Sequence, residues 1–291
     1  MSEKQTRRQD FRFAERLRVR WSEVDVQGVV FNGHYLNYFD AAVGGYWRAL
    51  ALPYADTMAQ LGGEMFVRKS TLEYVESARY DELLEIGVRC ERLGASSMTL
   101  QCAAFRGEEL LVLGELVYVL ADTARRGSMP IPAPLREVIQ AYEAGEPAVD
   151  VRVGNWAELG EAAGAIRTAV FVDEQRIPIE MEWDEADASC LHAVAFNRFG
   201  QALATGRLLE HVPGVAKIGR MAVQRPMRGS RIGREVLDAL MRKGKELGYG
   251  EVLLHAQLSA VGFYLRAGFV QRGAPFDEAG IGHVEMVRVL S

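Results

Sequence analysis

The stretch Trp21 to Asp40, WSEVDVQGVVFNGHYLNYFD, constrains the first half of the chain more than any other. It reads as a strand end, a tight turn at Gly28 and then a helix from about Asn32. Tyr35, Leu36, Phe39, Val43, Tyr46, Trp47 and Leu50 recur at three- and four-residue steps, which makes one apolar stripe along that helix.

Strand patterns surround it. Phe11 to Val19 alternates apolar and charged residues, as a half-buried strand does. Met65 to Tyr74, Asp81 to Arg92, Ser97 to Phe105 and Leu110 to Leu120 follow, the last two joined by a hairpin turn at Arg106-Gly-Glu-Glu. One long helix ending near Pro53, with four or five antiparallel strands, predicts an α+β domain in which a curved sheet wraps the helix. Pro130-Ile-Pro-Ala-Pro opens a short helix, Leu135 to Tyr142, and the polar segment Glu143 to Asp150 marks a boundary. A length of 291 residues also suggests two domains, here 1–145 and 150–291.

The second half restarts with a strand, Val151-Arg-Val, and a helix, Trp156 to Val170. A long loop reaching Asp187 precedes strands at Cys190 to Phe196, Ala202 to Leu209 and Val215 to Val223. A helix (Arg234 to Leu247), a strand (Val252 to Ala256), a short helix (Ala260 to Ala267) and the segment His283 to Val289 complete a mixed α/β order.

Two places carry chemistry. Asp25 sits one turn ahead of a helix N-terminus, whose first N–H groups lack intrahelical partners and bear partial positive charge. A carbonyl oxygen aimed at those groups is stabilised as it becomes an oxyanion, and an ionised Asp beside it can attack the carbonyl or activate water. Acid plus helix N-terminus points to acyl transfer; a plain turn-forming role is the alternative. The second place is Arg228-Gly-Ser-Arg-Ile-Gly233, between a strand and a helix. Such a loop turns several N–H groups outward and suits phosphate, with Gly229 and Gly233 letting the backbone approach. An ordinary strand-to-helix turn is the alternative.

The segment Asp25-Val-Gln-Gly-Val-Val-Phe-Asn-Gly-His-Tyr35 resembles the signature of the 4-hydroxybenzoyl-CoA thioesterase family of hotdog-fold proteins, and the likeness continues from Tyr74 to Ile86. The resemblance implies an acyl-CoA thioesterase, with Asp25 as nucleophile or general base and the Asn32 N–H holding the thioester oxygen. Many relatives carry His or Tyr near position 32. It also implies a homodimer, or a tetramer, built through this domain.

The second half resembles the GNAT superfamily of acyl-CoA N-acyltransferases. The likeness lies in Arg228 to Gly233 and Gly262 to Phe269, while Val170 to Gln175, Glu182 to Asp187, His192 to Ala195 and Ala279 to His283 resemble a bacterial subgroup of that superfamily. Arg231 stands where that loop usually has Gly. The resemblance implies that Met221 to Val223 hydrogen-bonds pantetheine through its backbone. It also implies that Arg228, Gly229, Ser230, Arg231, Ile232 and Gly233 hold the CoA phosphates, and that Tyr264 protonates the departing thiolate. Acetyl-CoA is the implied donor and an amine the acceptor. Glu180, Glu182, Asp184, His192, His255 and His283 are open candidates for the general base.

Composition bounds the rest. The net charge is −5 and no long basic run appears, which disfavours nucleic acid. No apolar run approaches the ~20 residues of a membrane span. The charged N-terminus has no apolar core like a signal peptide's, so cytoplasmic residence is the default expectation. Cys90, Cys102 and Cys190 form neither metal-ligand spacing nor a disulfide framework, so no metal is expected. Cys102 reads as core, His34 as helix surface, and Glu73 and Glu76 as exposed strand charge. The expectation is a bifunctional acyl-CoA enzyme, a thioesterase fused to an N-acyltransferase, whose carrier is CoA or acyl carrier protein. Two rivals stand beside it. The hotdog half is only a dimerising or acyl-binding module, or the GNAT half senses CoA without turnover.

Overall fold

The computed structural model describes residues 6–125, 127–278 and 280–290. The chain forms two compact units, Met1–Ala148 and Val149–Ser291.

In the first unit, strand β1 (Phe13–Arg18) leads through the Trp21 segment to helix α1 (His34–Ala49). Helix α2 (Tyr54–Leu61) comes next, then strands β2 (Gly63–Tyr74), β3 (Leu83–Leu93), β4 (Ser97–Arg106), β5 (Glu109–Asp122) and β6 (Gly127–Ser128), and helix α3 (Ala133–Glu143). The strands form an antiparallel sheet in the order β1-β3-β4-β5-β2, with β6 paired to β5. The helix stripe is buried as its spacing predicts, apart from Leu36, which is 39% exposed. Contact between helix and sheet is close: a Cβ on Gly114 of β5 would lie 2.5 Å from the Phe39 ring, so glycine is what lets α1 approach that strand. Strand β2 lies at the sheet edge, and its Phe66, Val67 and Tyr74 are exposed.

The expectation of one helix reaching Pro53 is corrected here. Helix α1 stops at Ala49, and Pro53 instead occupies the N-cap of α2 with φ −65°. Its ring fixes that angle, and it has no N–H to leave unpaired at a helix start.

In the second unit, β7 (Val149–Gly154) is followed by α4 (Trp156–Arg167), which continues as a π-helical turn, Thr168–Glu174. Asn155 and Glu158 cap α4 reciprocally, each side chain accepting from the other's backbone N–H at 3.1 and 3.0 Å. Then come α5 (Ile179–Glu182), β8 (Leu191–Asn197), β9 (Ala202–Val212), β10 (Val215–Val223), α6 (Ile232–Glu246), β11 (Glu251–Gln257), α7 (Val261–Arg266), β12 (Val270–Glu278) and β13 (Ile281–Val289). Their sheet runs β12-β13-β11-β10-β9-β8-β7. Strands β10 and β11 are parallel, and the other neighbours antiparallel. Two expectations change. The long loop before Asp187 contains the π-helical turn and α5. Residues 270–278 form a strand, β12, with every residue exposed, so no apolar alternation marks it in the sequence.

Candidate active sites

In the first unit the Trp21 segment folds back on itself. The Asp25 N–H donates to the Val29 carbonyl at 2.9 Å and the Gly28 N–H to the Asp25 carbonyl at 3.0 Å. Gly28 has φ 75°, a conformation that costs glycine nothing. Asp25 is half-buried, and its Oδ1 accepts from the Gln27 N–H at 2.8 Å, so the side chain shapes its own turn. Among the described residues its Oδ2 has no partner.

The Phe31 N–H donates to the Glu23 carbonyl at 2.9 Å, and the Glu23 carboxylate accepts from the Tyr38 hydroxyl at 2.7 Å. These bonds set where α1 begins. The Tyr74 hydroxyl donates to the Asn32 carbonyl at 3.2 Å. Among the described residues the Asn32 and Gly33 N–H groups donate to none, and no side chain caps α1. Trp21, Val26, Phe31, Tyr74 and Val75 leave large apolar side chains exposed in the same segments. His34 rests against Asn37, Nδ1 to Nδ2 at 3.4 Å, Glu73 and Glu76 are exposed, and Cys102 is fully buried.

In the second unit β10 and β11 pair only from Val215 to Lys217 and then part. Beyond that point β10 stays on β9, with an irregularity between Gly219 and Ala222, where Arg220 takes φ 53°. A cavity of about 460 Å³ opens there, lined by Met221, Tyr264, Glu182, His255, Gln257 and His283 among others. Glu180, Asp184 and His192 do not line it. Tyr264 is 8% exposed, and burial pushes its hydroxyl up to about 12, so it carries its proton at neutral pH.

After Val223 the chain makes a tight turn at Arg225–Met227 and enters α6. Gly229 has φ 86° and Arg231 φ 69°. That left-handed geometry accounts for the glycine usual at the second position; a side chain there carries a cost of roughly 1–2 kcal/mol. Among the described residues the N–H groups of Gly229, Arg231, Ile232 and Gly233 donate to none. A Cβ on Gly233 would lie 2.9 Å from Val223 Cγ2, so the start of α6 packs tightly on β10. The Arg228 guanidinium pairs with both Glu174 oxygens at 2.7 Å, and its Nε donates to the Val223 carbonyl at 3.2 Å.

Three arginines that the sequence reading misses decide the fate of the acidic segment. Arg167, 1% exposed, donates to Glu182 Oε1 at 2.5 Å and to the Asp187 oxygens at 2.7 and 3.0 Å. Arg207 donates to the Asp184 oxygens at 2.6 and 2.9 Å and to Asp187 at 2.8 Å. Arg220 donates to Asp184 at 3.2 Å and lies 3.4 Å from Glu182. Three cations meet three carboxylates, the pairing that buried charges require. Burial pushes Glu182 up, against its arginines, while the Arg207 guanidinium holds Asp184 below the usual carboxylate range. His192 is buried, with Nε2 2.9 Å from the Asp187 carbonyl and its ring 4.9 Å from that of Trp156. The acid-rich run from Glu180 to Asp187, with too little local base to balance it, is the sequence signal that distant arginines would be drawn in.

Among the described residues no three His, Cys, Asp or Glu side chains are grouped to hold a metal, and no helix is long and apolar enough to cross a membrane.

Comparison with known proteins matches residues 27–113 to the Thioesterase superfamily and residues 169–290 to the Acetyltransferase (GNAT) domain. YyaT, an uncharacterized protein of Bacillus subtilis (strain 168), is 34% identical over 143 residues, 48% of this chain and 95% of that protein. YjcF, an uncharacterized N-acetyltransferase of the same organism, is 31% identical over 124 residues, 42% of this chain and 87% of that protein. A thioesterase from Thermus thermophilus, solved with coenzyme A and Zn, is 25% identical with a TM-score of 0.41, covering 47% of this chain and 98% of that one. The chain thus joins a hotdog domain of the thioesterase superfamily to a second half that belongs to the GNAT acetyltransferase family.

Proposed function

We propose that the protein is a bifunctional acyl-CoA enzyme, hydrolysing an acyl thioester in its first unit and moving an acetyl group from CoA to an amine in its second. The observation that carries this reading is the parting of β10 from β11 beyond Lys217, with Met221 and Tyr264 on the cavity it opens. Where β11 has left β10, the backbone of Met221 to Val223 offers an extended pantetheine arm hydrogen bonds that a neighbouring strand would otherwise take, and the arm would displace the Arg228 Nε now on the Val223 carbonyl. The N–H groups of Gly229, Arg231, Ile232 and Gly233 then receive the CoA phosphates, with the Arg228, Ser230 and Arg231 side chains beside them. As the amine attacks, Tyr264 gives its proton to the departing sulfur.

In the first unit the Asn32 N–H receives the thioester oxygen, and the free Oδ2 of Asp25 attacks the carbonyl or takes a proton from water. CoA and acyl carrier protein present the same reactive arm, so either suits as carrier. The exposed edge of β2, with Phe66 and Val67, supports a homodimer or tetramer through this unit.

The test is thiol release from acyl-CoAs of short, long and aromatic acyl groups, with and without a panel of amines. Amine-independent release from some of them, and amine-dependent release from acetyl-CoA, is expected. No release without amine removes the thioesterase reading. A second reading, a first unit that only binds acyl groups or dimerises, is favoured by the Gln27 bond, through which Asp25 Oδ1 shapes its own turn. Under it, Asp25→Asn changes no rate.

A further inference from the structure

We propose that His283 is the general base that takes the proton from the acceptor amine, with its tautomer set by a backbone carbonyl. The proposal rests on the acetyltransferase reading of the second unit. His283 Nδ1 lies 2.8 Å from the Ile281 carbonyl oxygen. A carbonyl only accepts, so Nδ1 carries the ring proton, and the lone pair of the neutral ring is left on Nε2. The ring stacks on Phe276, 24° between planes and 6.1 Å between centroids, which limits its rotation. His283 sits on β13 opposite Gln257 of β11 and lines the same cavity as Met221 and Tyr264.

The other candidates are engaged or lie outside the cavity. Glu182 is held by Arg167 and Arg220, and Asp184 by Arg207 and Arg220. His192 is buried outside the cavity, and Glu180 does not line it. His255 lines it, but its Nδ1 lies 3.4 Å from Lys217 Nζ and 3.3 Å from Glu278, with Nε2 3.9 Å from Glu285. Both of its nitrogens face charged partners, whereas among the described residues His283 Nε2 faces none.

In the reaction the acceptor ammonium gives one proton to His283 Nε2. The neutral amine attacks the acetyl carbon, so a C–N bond forms as the C–S bond breaks. Tyr264 lends its proton to sulfur and recovers one from the new amide nitrogen, and His283 returns its proton to solvent.

The experiment compares acetyl transfer to the amine panel by wild type, His283→Ala and His283→Asn. The Asn side chain keeps a donor for the Ile281 carbonyl but offers no base. Loss of a general base should lower kcat by ~10²–10³-fold in both variants, with acetyl-CoA affinity by calorimetry unchanged. Added imidazole should restore part of the rate in His283→Ala. A kcat in His283→Ala within about twofold of wild type, or full activity in His283→Asn, overturns the base and leaves the acetyltransferase reading standing. Loss of acetyl-CoA affinity in both variants overturns it as well. Absence of transfer by the wild type overturns that reading, and the base with it.

Discussion

Arg228 and Glu174 form a two-pronged ion pair, Nη1 to Oε1 and Nη2 to Oε2 at 2.7 Å each. The pair ties the loop ahead of α6 to the π-helical turn after α4. A guanidinium proposed to meet a CoA phosphate is therefore already held by a carboxylate, and it keeps Glu174 below the usual carboxylate range.

Both partners are partly exposed, at 43% and 34%, so the pair adds only ~0.2–1 kcal/mol to stability. Glu174→Gln is expected to leave the denaturation midpoint near that of wild type while tightening acetyl-CoA binding several-fold, because Arg228 is released to phosphate. Arg228→Ala should weaken the same binding. Titration calorimetry reads both, and an unchanged affinity in Glu174→Gln counts against the competition.

The buried Arg167 predicts a large stability effect. Arg167→Met leaves Glu182 and Asp187 each short of a partner in a dry site. Removing one member of such a set costs ~3–5 kcal/mol, to be read from urea denaturation. A loss under ~1 kcal/mol would mean the site is wetter than its burial indicates.

Acid should act through the same network. Arg207 holds Asp184 below its ordinary value of 3.8, so the fold favours the ionised form. That stabilisation is complete above the ordinary value and is lost as pH falls through the lower, folded one. Glu182 is raised and acts in the opposite sense, so the comparison belongs between wild type and Asp184→Asn. Their stability difference should hold steady from neutral pH down to the ordinary aspartate range and vanish below it. A difference that grows with acid contradicts the pairing.

Gly114→Ala tests the seating of α1. The new Cβ would meet Phe39 at 2.5 Å, and overpacking of this kind costs ~1–3 kcal/mol. A thermal midpoint unchanged from wild type would mean the helix moves freely off β5.

Local pattern carried the frame of both units. The stripe of α1 was legible because one residue in three or four faces the sheet, and Leu36 failed only because it lies at the stripe's margin. Helix α2 is hidden because a proline after an apolar stripe marks a helix end, whereas Pro53 also starts the next helix. Strand β12 was hidden because an edge strand with no buried face carries no alternation. The proposed site residues Asp25, Met221 and Tyr264 sit in recognisable local segments. The proposed base does not, because Glu182, Asp184 and His283 differ only in partners from distant parts of the chain, or in a bond to a carbonyl two residues away.

The proposed function requires two separate sites that turn over. One measurement tests it most directly: thiol release from acyl-CoAs, with and without amine, by wild type, Asp25→Asn and Tyr264→Phe. Asn at 25 can still accept from the Gln27 N–H, so the turn is kept while the reactive carboxylate is lost. The prediction is that Asp25→Asn loses amine-independent release by ~2–4 kcal/mol in transition-state stabilisation and keeps acetyl transfer, while Tyr264→Phe does the reverse. If Asp25→Asn hydrolyses thioesters as wild type does, or one substitution abolishes both activities, the two-site account is contradicted.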